Sequence, residues 1–508
     1  MTHKSYNWRS LDIRSTAVGV SLLLSALMVL MGWLPNEDAF TYIRTVEIFR
    51  DEGLAAAYSH YPWATYPVLI ALVQGLTPLD PFLSAVAVNA LFYALLVYSF
   101  ISLVAEIDAS RTTLVLAAIT VLVYPQLNEN RLIIIRDGAF WALSLFGLWQ
   151  YLRFVRSRQR ANAAAFALAF LLAAGFRAEA LVYLFLIPVS LLADSRIDLA
   201  GRCRLTGLFM ASSAGILLLL VGLGFAAGLN LPALFVEQLS VYLPFARETF
   251  FPADQRTAEL GRAIFGDYAA NFTSDYLPVF MFAGLVAILL AFFLKGIGGP
   301  MLLALLAGLV RRIKPVPRWQ LAPLIMVIAI NTLIAMAFLI TTRFLSSRYV
   351  MLMCLVCVVY VPLVLARLRQ SAVEAGRGRS NSWLVGLLLS YCAVDAYYSF
   401  GEDKHYLQDA GEWIAANSNP GITLLTNNRT VAYYSERSED YDLIPILLTE
   451  ADILHVPPGS LIAFEEDTST MGLFDSAGMR RAVEEVIRIG PESGRQVVIY
   501  RRQPDRES

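Results

Sequence analysis

The chain has 508 residues, of which 57% are hydrophobic and 16% charged, with a formal net charge of −1. That balance is too apolar for an ordinary soluble protein and offers no electrostatic footprint for nucleic acid. Apolar runs long enough to cross a bilayer recur up to about position 399, which makes most of the chain a polytopic membrane protein.

The first run, 16–34, lacks a small-residue cleavage site and reads as a retained helix, not a cleaved signal peptide. Directly after it, 34-LPNEDAFTYIRTVEIFRDEG-53 places Glu37 and Asp38 at the head of an amphipathic segment. Phe40, Ile43, Val46 and Phe49 recur every third residue as one apolar stripe, which predicts a helix lying flat on the membrane surface. Asn36 or Asp38 would cap it. In 58-YSHYPWATYP-67, His60 and Trp63 stand among aromatic residues. Interfacial anchoring is the plain reading there; the functional one has His60 contacting a sugar and Trp63 stacking on it.

Further spans are expected at 81–105, 111–125, 138–155, 161–175, 179–193, 205–227, 276–294, 319–341, 349–366 and 382–399, about eleven in all. The segment 296–310, between Lys295 and the cluster Arg311, Arg312, Lys314 and Arg318, reads as an interfacial or re-entrant helix. Cys354 and Cys357 form a C-x-x-C, but both lie within an apolar run and Cys392 within another, so they read as small hydrophobes. From 401 the runs shorten. Strands are expected at 421–426, 460–464 and 496–502, and helices near 405–417 and 475–489. The expected architecture is an all-α membrane bundle over 1–399, whose loop 35–80 carries amphipathic helices, and a small soluble α/β domain over 400–508.

Basic residues give the orientation. Lys4, Arg9 and Arg14, the turn 153-RFVRSRQR-160, Arg196 with Arg202 and Arg204, the 311–318 cluster and Arg367 to Arg379 fall on the cytoplasmic side. The segments 35–80, 126–137, 228–275 and the tail are then outside, periplasmic in a double-membraned bacterium. Several arginines break the rule by lying outside: Arg44, Arg50, Arg131, Arg136, Arg177, Arg343 and Arg348; the polar outer loop 228–275 holds Arg247, Arg256 and Arg262 without the acid–arginine pattern of a glycan polymerase or ligase. Ionisable groups at the membrane edge are costly and tend to face a cavity or ligand. Cations arriving from separate segments suit a lipid phosphate, and snorkelling to ordinary headgroups is the plain alternative. The acids best placed beside them are Glu37, Asp38, Asp137 and Glu179.

At these residues the chain resembles the GT-C glycosyltransferases, most nearly the bacterial aminoarabinose transferase and protein O-mannosyltransferase branch. That branch carries its catalytic Asp in a D-E-x-x-Y loop. Here Asp38 precedes Tyr42 by the same four positions, with Ala39 where the Glu would be. The stretch 136-RDGAFWALSLFGLW-149 is similar to the family's second outer loop, with Asp137 as its acid. In 347-SRYVMLM-353, Arg348 and Tyr349 match an R-Y-L-x-P segment whose proline is missing. In 65-TYPVLIAL-72, Pro67 remains from a K-P-P-L motif, but Thr65 replaces the lysine that meets the lipid phosphate. Arg131, Arg136, Arg343 and Arg348 are the candidates to replace it.

The resemblance implies a hexosyl or pentosyl transferase using a polyprenyl-phosphate-linked donor among membrane lipids, with inversion at the anomeric carbon. Asp38 would be the general base, Glu37 sharing or exchanging that role. Arg136 and Arg348 would hold the phosphate. Asp137 would orient an arginine or bind a divalent metal, for which Asp38 is the other candidate ligand. Tyr42, Tyr349, Arg177 and Glu179 complete the expected substrate-binding set. The acceptor stays open between lipid, glycan and protein. Two other classes remain: a membrane glycan polymerase or ligase, and a lipid-linked-sugar transporter, which would be expected to show inverted repeats that the sequence lacks.

Overall fold

The computed structural model describes residues 12–504 apart from 32, 227, 229, 241, 246–258, 260, 269–275, 314–315, 377, 399–403, 446, 467–472, 475–476 and 492–493. Lys4, Arg9, Arg247, Arg256 and Lys314 lie outside the described residues.

Every expected span is helical: Ile13–Leu30, Pro81–Ile107, Arg111–Leu122, Asp137–Ser157, Arg160–Ala174, Ala180–Leu186 extended by a 3-10 turn over Ile187–Ala193, Leu199–Ala226, Leu277–Ile297, Arg318–Thr342, Ser347–Val358 with Val361–Glu374, and Gly378–Tyr397. Among the described residues, six helical stretches are long and apolar enough to cross a membrane and the other apolar helices are shorter. The chain is a multi-pass membrane protein. The expected span 349–366 is interrupted after Val358, because Pro362 cannot supply the backbone N–H that would continue the ladder. Gly299–Val310 has 12 residues, about 18 Å of helix, too short to cross a core of about 30 Å.

The chain forms two compact units. One comprises Met1–Met28, Ala87–Leu132 and Arg136–Tyr398; the other comprises Val29–Val86, Ile133–Ile135 and Ser399–Ser508.

In the first unit, helix Asp137–Ser157 is buried along nearly its whole length. Gly147 lets it approach Arg160–Ala174, since a Cβ there would stand 2.7 Å from the Phe170 ring. Tyr151, Phe166, Phe170 and Phe209 form an aromatic seam beside it. Cys354 is buried and Cys357 half-buried within helix Ser347–Val358, and both are free thiols.

In the second unit, helices Glu37–Glu52, Leu54–His60 and Thr65–Leu76 accompany a sheet of β1 (Leu424–Thr426), β2 (Leu461–Glu465), β3 (Val483–Ile489) and β4 (Val497–Arg502). The strand order is β1-β2-β4-β3, with β1 and β2 parallel and the other pairs antiparallel. The expected helix at 475–489 is corrected: only Ala477–Ala482 is helical, and β3 follows. Val483 and Ile487 stand four apart, the spacing of a helical repeat, but a bulge between Glu485 and Ile487 turns them to opposite faces of the sheet, Val483 into the core with Ile462 and Phe464 and Ile487 against the core with Leu461 and Ala463.

The amphipathic helix is where the sequence placed it, but its stripe is covered by protein. Phe40, Ile43 and Val46 are fully buried, and the Phe40 ring packs edge-on against Phe82 and Tyr441 and tilted against Tyr433. This corrects the expectation of a helix lying with its apolar face on lipid.

Candidate active site

The candidate residues occur in both units. In the second, Asn36 occupies the N-cap position of helix Glu37–Glu52, yet its side chain makes no cap bond. Its Nδ2 donates to the Ile134 carbonyl at 3.3 Å, and the Ile134 N–H donates back to Oδ1 at 2.8 Å. Capping by Asn36 is therefore corrected: the side chain fastens the Ile133–Ile135 segment. Glu37 and Asp38 fill the first turn, where the partial positive charge of the helix terminus stabilises a carboxylate. Glu37 is exposed and Asp38 half-buried. Arg429 donates to the Glu37 carbonyl at 3.3 Å and to Thr41 Oγ1 at 3.2 Å. Although part of the Glu37 side chain reaches solvent, protein packed around its carboxyl desolvates it and raises it above its ordinary range, against the opposing pull of the Arg429 guanidinium.

Tyr42 is buried, with its ring edge-on to Tyr61 at 5.5 Å and to Tyr66 at 5.2 Å. Trp63 packs on Tyr61 at 5.4 Å. His60 Nε2 lies 2.9 Å from Oδ2 of Asp442, a fully buried carboxylate. Nothing in the sequence marked Arg429 or Asp442, because each lies more than 380 residues from its partner.

In the first unit, three separately singled-out segments meet. Arg177 donates to Oδ1 of Asp137 at the head of helix Asp137–Ser157, and through Nε to Oε1 of Glu179. Its guanidinium lies 4.6 Å from the Tyr349 ring centroid and 5.7 Å from that of Phe140. Tyr349 in turn stacks on Phe338, with centroids 4.4 Å apart. Arg348 is half-buried, 5.7 Å from the Tyr349 ring. Arg136, immediately before Asp137, is half-buried, and Arg343 is exposed in the left-handed conformation (φ 58°) that ends helix Arg318–Thr342.

Arg131 has a different environment. Only 1% exposed, it donates to Asn128 Oδ1 at 2.7 and 3.1 Å, and at 3.0 Å to the Ser21 carbonyl, Ser21 Oγ and Ser25 Oγ. It also lies 4.8 Å from the Tyr93 ring. These contacts hold helix Ile13–Leu30 and correct the expectation of a guanidinium directed at a ligand. Among the described residues, no group of three or more His, Cys, Asp or Glu could hold a metal ion, and Asp137 Oδ1 is engaged by Arg177. Among the described residues, the side chains around Asp137 do not form such a site.

No family model and no curated protein matches the chain. Among solved structures, it is similar to ArnT from Cupriavidus metallidurans bound to undecaprenyl phosphate, at 12% identity over 96% of this chain and 97% of that one, TM-score 0.53. It is also similar to the archaeal oligosaccharyltransferase AglB from Archaeoglobus fulgidus in complex with an inhibitory peptide and a dolichol-phosphate, at 13% identity over 96% of this chain and 74% of that one, TM-score 0.51. At such identities the likeness is one of fold, and it extends over nearly the whole of this chain.

Proposed function

We propose that the chain is a membrane glycosyltransferase that moves a sugar from a polyprenyl-phosphate donor to an acceptor at the outer face, with its N-terminus cytoplasmic and residues 400–508 outside. The observation that carries this reading is the buried meeting of Asp137, Arg177 and Glu179 beside Tyr349. An ionisable cluster assembled from distant segments of a membrane protein is expensive to bury, and in such chains it marks a substrate path. The two similar structures were solved with undecaprenyl phosphate and dolichol-phosphate, which supports the donor class.

In the proposed reaction Asp38 takes the acceptor's proton as the acceptor oxygen or nitrogen attacks the anomeric carbon. The bond from that carbon to the phosphate oxygen breaks, and the electron pair leaves with the polyprenyl phosphate. Positioned general-base catalysis of this kind is worth about 10²–10⁴-fold. Arg136 and Arg348 meet the phosphate charge, while Asp137 orients Arg177. Asp137, Glu179 and Arg177 sum to one negative charge, so both further arginines are required for the group to attract an anion.

Purified protein in nanodiscs given a labelled lipid-linked sugar is expected to release free polyprenyl phosphate and label an acceptor. Movement of intact lipid-linked sugar across the bilayer without cleavage would make the chain a transporter instead.

A further inference from the structure

A cavity of about 880 Å³ lies within the second unit, lined in part by Tyr433 and Tyr441. Its floor is one face of helix His405–Asn417: Glu412, Ala415 and Ala416, spaced three and four apart, leave room because two of them are alanine. Its opposite wall is the end of helix Arg429–Ser435 and the turn after it, with Tyr433, Tyr434, Glu436, Glu439 and Tyr441. Gly411 allows the two helices to approach, since a Cβ there would stand 2.7 Å from Tyr434 Cβ.

Arg437 also lines the cavity, but its donors are used to build it. They reach Ser418 Oγ at 3.2 Å, the Ala415 carbonyl at 2.9 Å and the Ser418 carbonyl at 2.7 Å. What remains for a ligand is the half-buried rings of Tyr433 and Tyr434, with the buried Tyr441 packed behind Tyr433, and three carboxylates, of which Glu412 already accepts one bond from Gln408. Carboxylates accept hydrogen bonds and offer none, so the ligand must be rich in donors, and the negative lining disfavours an anion. Tyrosine rings suit the flat C–H face of a pyranose, and the volume is that of a small-molecule site.

We propose that this cleft binds an uncharged or amino-bearing saccharide unit of the acceptor. Its assignment to the acceptor rests on the transfer reaction proposed above; saccharide binding itself does not. The test is saturation-transfer NMR of the full-length protein in nanodiscs with three probes: cellobiose, the β-1,4 glucosamine dimer and glucose 6-phosphate. Cellobiose or the glucosamine dimer is expected to bind at least about tenfold more tightly than the sugar phosphate. Tyr434→Ala is expected to weaken that binding at least about tenfold, with Tyr434→Phe retaining it within about threefold as a folding control. Absence of saccharide binding, equal binding of the phosphate, or indifference to Tyr434→Ala overturns the proposal. Binding in a protein that transfers no sugar would overturn the reaction and leave the cleft, whereas transfer without binding would do the reverse.

Discussion

Arg177 donates to Asp137 from 40 residues away in the chain while its guanidinium rests over the ring of Tyr349, so one side chain ties together the heads of two helices and the turn between two others. Both partners of the ion pair are close to fully buried. Removing one partner of such a pair leaves a charge without compensation, which costs about 3–5 kcal/mol where no other counter-ion is at hand. Glu179 still faces Arg177, so Asp137→Asn is expected to lose about 2–3 kcal/mol and Arg177→Met more, since it strands two carboxylates. Thermal unfolding in detergent measures both. Equal stability of Asp137→Asn and the parent would mean that the pair does not organise this region.

Asp38 and Glu37 are adjacent but unequal. Asp38→Asn is expected to insert and fold normally and to lose transfer by about 10²–10⁴-fold. Glu37→Gln should keep most of the rate, because that exposed side chain lies against Arg429 and the loss of its charge leaves the Arg429 bonds to the Glu37 carbonyl and Thr41 in place. The reverse ranking of the two variants would move the base to Glu37.

Asn36 is a clamp, and substitution can separate that from capping. Serine and aspartate are both good caps by preference, so Asn36→Ser or Asn36→Asp would be neutral if capping were its job. Aspartate has no donor for the Ile134 carbonyl, and serine's single, shorter hydroxyl cannot span both Ile134 groups as the amide's two atoms do, so each is expected to cost about 1–2 kcal/mol and to speed hydrogen exchange at the Ile134 amide. Unchanged exchange with a lost cap would reverse the reading.

Arg131→Met removes the donor that satisfies Ser21, Ser25 and Asn128 together. Each buried polar group left unpaired costs about 1–3 kcal/mol, so a loss of about 3 kcal/mol or more is expected. The loss should appear first as protease access to helix Ile13–Leu30. A variant that is stable but binds polyprenyl phosphate poorly would restore Arg131 to the ligand set.

Asp194 supplies a pH-dependent element. Hydrogen bonds from Arg196, and then Arg158, hold its carboxyl down to about 2. A depressed folded-state value means that the stabilisation is present above the unfolded value near 4 and is lost as pH falls through about 2. The thermal midpoints of the parent and Asp194→Asn should therefore differ at neutral pH, by about 2 kcal/mol in stability, and converge on acidification between about pH 4 and 2. A constant difference across that window would exclude the carboxylate's charge as the cause.

The membrane bundle, the amphipathic helix after the first span and three of the four strands were legible in the amino-acid order, because run length and periodicity are local properties of the chain. That order also picked out Asp137, Arg177 and Tyr349, since a charge or a polar ring at a membrane edge is costly wherever it occurs and stands out without knowledge of its partner. It did not determine the partners. Asn36 meets Ile134, His60 meets Asp442 and Thr41 meets Arg429 across 98, 382 and 388 residues. Local pattern says nothing about contacts at that separation. It also misread Arg131, because an arginine that holds a helix and one that holds a phosphate look alike until the hydroxyls around them are in place. Which polar groups are spent on the fold emerges from the packing, because burial leaves a donor no choice but the acceptors packed against it.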